Sequence, residues 1–336
     1  MIHDILLEMA GEQKGLQTQE LEDAKAKYFA IPINFYQPDE IISRDLYVFY
    51  QGQHFLYRPK NLIWNIEDFK RLQEFEVKSL FIRCEDAKEH HQFLETNLSK
   101  ILDEPKISGE EKAQILFETS TFVIEDIFSR PNSSETVKRS VGLVKNSLEY
   151  LRDRENFFEF MRFASEDFNE YTHAMQVAAY AITLARQCGM KSFNDLSAIG
   201  IGSLLHDFGK VKIDKKILNK PGPLTEEERR EVQKHPEYGY EILHRQRSIP
   251  EMAEVIVLQH HERPQGTGYP YRLGADMMFS AKILSLVDCF DSLTSNRPYK
   301  AKMKGIEAIE YMQNEIASDY DQNLMIHFVR MLGRKS

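Results

Sequence analysis

The chain has 336 residues, 42% hydrophobic and 28% charged, enough apolar material for a packed interior. At roughly 150 residues per domain, that length points to two domains. Forty-three basic residues against 52 acidic ones give a formal charge of -9, which argues against broad nucleic-acid binding by phosphate neutralisation and leaves room only for a local basic pocket. Apolar runs such as 198–205 and 283–287 fall far short of the ~18 residues of a membrane span, and Asp4, Glu8 and Glu12 do not fit a signal peptide. A cytoplasmic protein without a membrane span is expected. Cys84, Cys188 and Cys289 form no CxxC pair, and buried, reduced thiols are expected.

Up to Lys106 the chain mixes strand-like and helical runs. Tyr28 to Ile33, Leu46 to Tyr50, Phe55 to Tyr57 and Ser79 to Arg83 are aromatic or β-branched, with turn signals at Gln37-Pro38-Asp39 and Gln51-Gly52-Gln53. Ile66 to Phe75 reads as a helix, and the polar surroundings of His90-His91 predict a solvated helix face. A small α/β domain over 1–106 follows. From Ser108 helices take over, opened by the capping-box pattern Ser108-Gly109-Glu110-Glu111. After the break at Arg130-Pro131-Asn132-Ser133, the residues Val137, Val141, Val144, Leu148 and Leu151 recur at spacings 4, 3, 4 and 3. That stripe suits either packing within the chain or a homodimer joined through a helical linker over 107–165.

Beyond Phe157 nearly every segment predicts helix: Tyr171 to Cys188, Asn194 to His206, Thr225 to Leu243, Met252 to His260, Ala281 to Leu293 and Ile306 to Ile316. Thr225-Glu226-Glu227-Glu228 is a second capping box, and Gly189 a helix stop. Within these helices the chemistry is out of place. His206-Asp207 closes the apolar run Ile199, Ile201, Leu204, Leu205; His260-His261 closes Val255 to Leu258; Asp288 sits inside Ile283 to Val287. Buried ionisable groups need partners, and a cation would serve all of them. Imidazole and carboxylate without thiolate suit Fe, Mn, Ni, Zn or Mg, and more than four such ligands suggest more than one ion. Adjacent helical residues point about 100° apart, so His260 and His261 meet at one centre only if the helix ends there, as Pro264 suggests.

The ordered series LLHDFGK (204–210), KPGPLTEEE (220–228), KHPEYGYEIL (234–243), HHERPQGTGYP (260–270) and DCFDSLTSNRPYK (288–300) resembles the HD-GYP subfamily of HD-domain phosphodiesterases over about half of the chain. The resemblance implies a mainly α protein: an all-helical HD-domain bundle over 166–336, following the small, regulatory α/β domain and the helical linker. It implies cyclic di-GMP as substrate, opened to pGpG and on to GMP by a hydroxide bridging two metal ions, with iron ahead of manganese. His173, His206, Asp207 and Asp288 would hold one ion, and His235, His260 and His261 the other, with Asp207 bridging. Lys210 would address the substrate phosphate, Arg297 and Lys300 phosphate or guanine, and Tyr269 is the tyrosine of the GYP loop. Asn169 stands where some members carry a Glu for a third ion, which favours two, and Gln265 stands where the loop usually carries an acid. The other readings are an HD phosphohydrolase for a different cyclic dinucleotide such as cyclic GMP-AMP, and a module that binds the dinucleotide or a signalling partner protein.

Overall fold

Two compact units divide the chain, 1–112 and 113–336. The structure, a computed structural model, describes residues 28–333 apart from 34–35, 37, 43, 84–86, 106, 132, 165–168, 247–248 and 296–301. Cys84, Arg297 and Lys300 therefore lie outside the described residues.

In the first unit β1 (Tyr28–Pro32), β2 (Glu40–Ile41), β3 (Leu46–Tyr50), β4 (Gln53–Arg58), β5 (Ile63–Trp64) and β6 (Ser79–Arg83) form two antiparallel sheets, ordered β1-β6-β3-β4 and β2-β5. The turn joining β3 to β4 holds Gln51 and Gly52 at φ of 46° and 84°, the doubly left-handed pair that a two-residue hairpin needs. Helix α1 (Ile66–Glu74) starts at a reciprocal Asn65–Asp68 capping box and α2 (Ala87–Asp103) follows β6. Trp64, fully buried between the rings of Tyr36 and Tyr57, anchors this core. His90 corrects the sequence reading: it is buried, because it continues the stripe of Leu94, Leu98 and Ile101 on α2.

The second unit is helical: α3 (Gly109–Ser129), α4 (Ser134–Tyr150), α5 (Arg154–Ala164), α6 (Glu170–Gln187), α7 (Phe193–Leu204), α8 (Lys215–Leu218), α9 (Glu226–Val232), α10 (His235–His244), α11 (Glu251–Gln259), α12 (Phe279–Thr294), α13 (Gly305–Asn314) and α14 (Gln322–Leu332). Every residue of α7 from Leu196 to Leu204 is buried, so α7 is apolar all round and runs through the centre, packed by α4, α6 and α11. The stripe on α4 is spent inside the chain. Val144, Leu148 and Leu151 are buried, and a Cβ on Gly200 of α7 would come within 2.6 Å of Val144 Cγ1. Val141 is half-buried, and the side chain of Val137 lies outside the described residues.

Both capping boxes form: Glu111 N–H donates to Ser108 Oγ (3.2 Å) and Glu228 N–H to Thr225 Oγ1 (3.2 Å), with each glutamate answering the cap N–H. The single helix expected from Thr225 to Leu243 is two, α9 and α10. Pro236 is the reason: it lacks an N–H and fits only a first helical turn, where it stands in α10. Helix α14, capped by Asp321, was not expected. Cys188 and Cys289 are free thiols, partly rather than fully buried. Among the described residues no helix is long and apolar enough to cross a membrane.

Candidate metal centre

A helix leaves its last carbonyls without partners. Three histidines exploit this in one way. His206 follows α7 and gives its Nδ1–H to Ser203 O (2.7 Å); His235 follows α9 and gives its own to Val232 O (2.7 Å); His260 caps α11 and gives its own to Val257 O (2.6 Å). Since a carbonyl only accepts, each ring carries its proton on Nδ1 and turns the Nε2 lone pair inward. These three helices thus end in oriented donors, and the ends of α7, α9 and α11 bring them together.

Two groups of potential ligand atoms result, His173 with His206 and Asp288, and Asp207 with His235, His260 and His261; within each, the atoms lie within 4.8 Å of one another. All seven residues named from the sequence meet here. Asp207 joins the groups: its Oδ2 is 3.4 Å from His206 Nε2 and 3.9 Å from His173 Nε2, and its Oδ1 is 3.3 Å from His235 Nε2. Asp288 Oδ1 lies 3.3 Å from His173 Nε2 and 3.8 Å from His206 Nε2. Two glycines allow this close approach. A Cβ on Gly209 would collide with the His235 carbonyl, and one on Gly268 with the His261 carbonyl.

The donor set fits cations. Burial pushes His235 down to about 4 and, with the neighbouring imidazoles, holds His260 and His261 well below the usual histidine value, so all three are neutral rings able to donate a lone pair. Burial would raise Asp207, but the ammonium charge of Lys210 beside it holds it far below the usual carboxylate value. Burial opposes charge on His173 too, yet hydrogen bonds to Asp288 and Asp291 lift it to about 10: the site favours positive charge where a metal would sit. His206 Nε2 is buried without a hydrogen bond. In the described structure Lys210 Nζ donates to Asp207 Oδ2 (2.6 Å), and Tyr269 stacks on His261 with centroids 4.7 Å apart. Asn169 caps α6, its Oδ1 accepting from Tyr171 N and Thr172 N (both 2.9 Å).

Two carboxylates escaped the sequence reading. Asp291 Oδ2 meets His173 Nδ1 at 2.6 Å. Glu262, fully buried, accepts from the backbone of Tyr271 (2.6 Å), Arg272 (3.1 Å) and Leu273 (2.9 Å), which ties down the loop that carries Tyr269. Each had a signal: an acid at a position whose neighbours are apolar or already chemical.

The HD domain family matches residues 161–324. A cyclic di-GMP phosphodiesterase of Pseudomonas aeruginosa is 29% identical over 281 residues, 79% of this chain and 67% of that protein. A 3'3'-cGAMP-specific phosphodiesterase of Vibrio cholerae is 43% identical over 130 residues, 38% of this chain and 25% of that protein. The chain thus spans from a quarter to two thirds of these relatives' lengths. An HDG"Y"P protein from Bdellovibrio bacteriovorus superposes with a TM-score of 0.62 at 19% identity, covering 91% of this chain and 99% of that one, and so shares the fold. Through residues 161–324 the chain carries an HD domain.

Proposed function

We propose that this chain is a cyclic di-GMP phosphodiesterase that hydrolyses the dinucleotide to pGpG, and onward to GMP, at a two-metal centre. The observation that carries the reading is the divided carboxylate of Asp207, one oxygen toward each donor group. His173, His206 and Asp288 would hold one ion and His235, His260 and His261 the other, with Asp207 shared. When bound, such a pair of cations would lower the pKa of a water and neutralise charge on phosphoryl oxygens. The chain's own residues do the rest. The Nδ1–carbonyl bonds fix the imidazoles in advance, Lys210 at the rim offers its remaining ammonium protons to a phosphate oxygen, and Tyr269 walls the site beside His261. Arg297 and Lys300 are assigned contacts to phosphate or guanine.

Iron is the proposed metal, with manganese second; imidazole and carboxylate donors accommodate both. Residues 1–106 are assigned a regulatory role, 107–165 the linker and 166–336 the catalytic part. A homodimer through the linker and signalling partner proteins belong to the same proposal, and such pairing would use outward residues of α4 such as Lys138 and Lys145 rather than its buried stripe. A doubly charged dinucleotide does not cross a bilayer unaided, so this substrate goes with a cytoplasmic enzyme.

The second reading, cyclic GMP-AMP as substrate, is favoured by the relative of that specificity at 43% identity. Iron-loaded protein incubated with each dinucleotide, with products separated by chromatography, tests both. Faster formation of pGpG supports the first reading, faster opening of cyclic GMP-AMP selects the second, and turnover of neither overturns both in favour of a binding module. Arg297→Ala and Lys300→Ala should keep the metal and lose ~10- to 150-fold in turnover, the effect of a missing charge-assisted contact.

A further inference from the structure

Among the buried imidazoles of the site, His173 is oriented by a different rule. It lies in the first turns of α6, where its backbone N–H bonds to Asn169 O (3.0 Å) and the surrounding carbonyls serve the helix itself. Carbonyls at the start of a helix are taken by the helix itself, so the device that fixes His206, His235 and His260 belongs to helix ends and not to this position. Its Nδ1 instead meets Asp291 Oδ2 at 2.6 Å. Asp291 and Asp288 stand three residues apart on α12 and so share one face. Asp288 Oδ1 reaches the Nε2 side of the His173 ring at 3.3 Å while Asp291 holds the Nδ1 side. Asp291 is 1% exposed, and its Oδ2 also accepts from Ser295 Oγ at 3.2 Å.

We propose that Asp291 is a positioning residue of the metal centre: it holds the His173 proton on Nδ1 and thereby turns Nε2 toward Asp288 and His206. The inference rests on the two-metal reading. With a metal in place of the Nε2 proton, Asp291, which only accepts, would keep the remaining proton on Nδ1 and make the opposite nitrogen a better donor. Helix α12 supplies both a ligand and the group that aims a neighbouring ligand. The effect is confined to one half of the site, because His235 and His260 take their orientation from backbone carbonyls of α9 and α11.

The test is a Co(II) titration of the full, chelator-stripped chain, followed by visible absorption. The unmodified chain should bind in two steps, assigned to the two groups by the variants Asp288→Ala and His260→Ala. Asp291→Ala should weaken the step lost in Asp288→Ala by ~10- to 100-fold, the usual cost of removing an outer partner of a metal-bound imidazole, and leave the other step in place. Asp291→Asn, whose side-chain carbonyl can still accept, should restore part of the loss. Should Asp291→Ala fail to fold by circular dichroism, Asp291→Asn and Ser295→Ala carry the same comparison. Equal weakening of both steps, or no change in a folded variant, overturns the assignment. Absence of two-step binding in the unmodified chain would instead remove the two-metal reading, and this inference with it.

Discussion

The Nε2 atoms of His235 and His260 lie 3.1 Å apart while both Nδ1–H groups are spent on the carbonyls of Val232 and Val257. Two lone pairs aimed at each other in a buried place repel unless a cation or a proton lies between them, and burial holds both rings below the ordinary histidine pKa. A metal ion relieves that repulsion. The purified chain should therefore carry about two transition-metal ions, measurable by plasma emission. Asp207→Ala should lose most of both, since this carboxylate faces both donor groups. Full metal content in that variant would overturn its bridging role.

Gly209 sets the distance between the segment Phe208–Lys212 and α10, because a Cβ there would collide with the carbonyl of His235 and the amide of Gly239. Both obstacles are backbone, so Gly209→Ala must push α10 away. The expected cost is ~1 to 3 kcal/mol of stability, the range for overpacking a close contact. The His235 group should lose its ion while His173, His206 and Asp288 keep theirs. Calorimetric melting together with metal analysis checks this, and unchanged metal content would separate Gly209 from the site.

The first unit offers a pH prediction with its own reporter. Burial, with the charges of Arg44 and His91, pushes His90 from 6.5 to about 3. The unfolded chain takes up this proton near pH 6.5 and the native chain only near 3, so the native state loses stability as the pH falls through that window and keeps its full share above it. Trp64, the chain's single tryptophan, is fully buried in this unit and reports its unfolding. Urea midpoints read from Trp64 fluorescence should fall between pH 7 and pH 4.5, and fall less in His90→Leu. Equal slopes for the two proteins would mean that His90 finds compensation for its proton.

Much of the site was legible because its chemistry stands at helix ends. His206-Asp207 and His260-His261 each follow an apolar run, the motif series placed His235 and Asp288 beside them, and the family resemblance added His173. Strands β3 and β6 were legible from their aromatic and β-branched runs, and α3 and α9 from their capping boxes. Asp291 was harder to find because its role depends on a contact from α12 to α6, which no spacing reveals; its only local mark was a second acid one turn after Asp288. His90 was misread because the charges around it outweighed its register with Leu94, Leu98 and Ile101. The break before His235 was missed because capping box and apolar residues run on past Pro236, whose missing N–H decides the matter.

The stripe on α4 allows the sharpest separation between packing and assembly. Val144 and Leu148 are buried against the same chain, with Val144 packed on Gly200 of the central helix α7. Carboxylates at these two positions would be forced into an apolar interior, or would drive α4 off α7, at a cost of several kcal/mol. Were the stripe a seam between subunits, the double variant Val144→Glu with Leu148→Glu would yield folded monomers. Burial within the chain predicts another outcome: a melting temperature lowered by many degrees, with loss of helix rather than a clean change in mass. The effect should reach the metal centre, because His206 and Asp207 follow directly on α7 and its position depends on the helices packed around it. Light scattering, circular dichroism and metal analysis on one preparation distinguish the cases. A stable, metal-loaded monomer would make the stripe an interface after all.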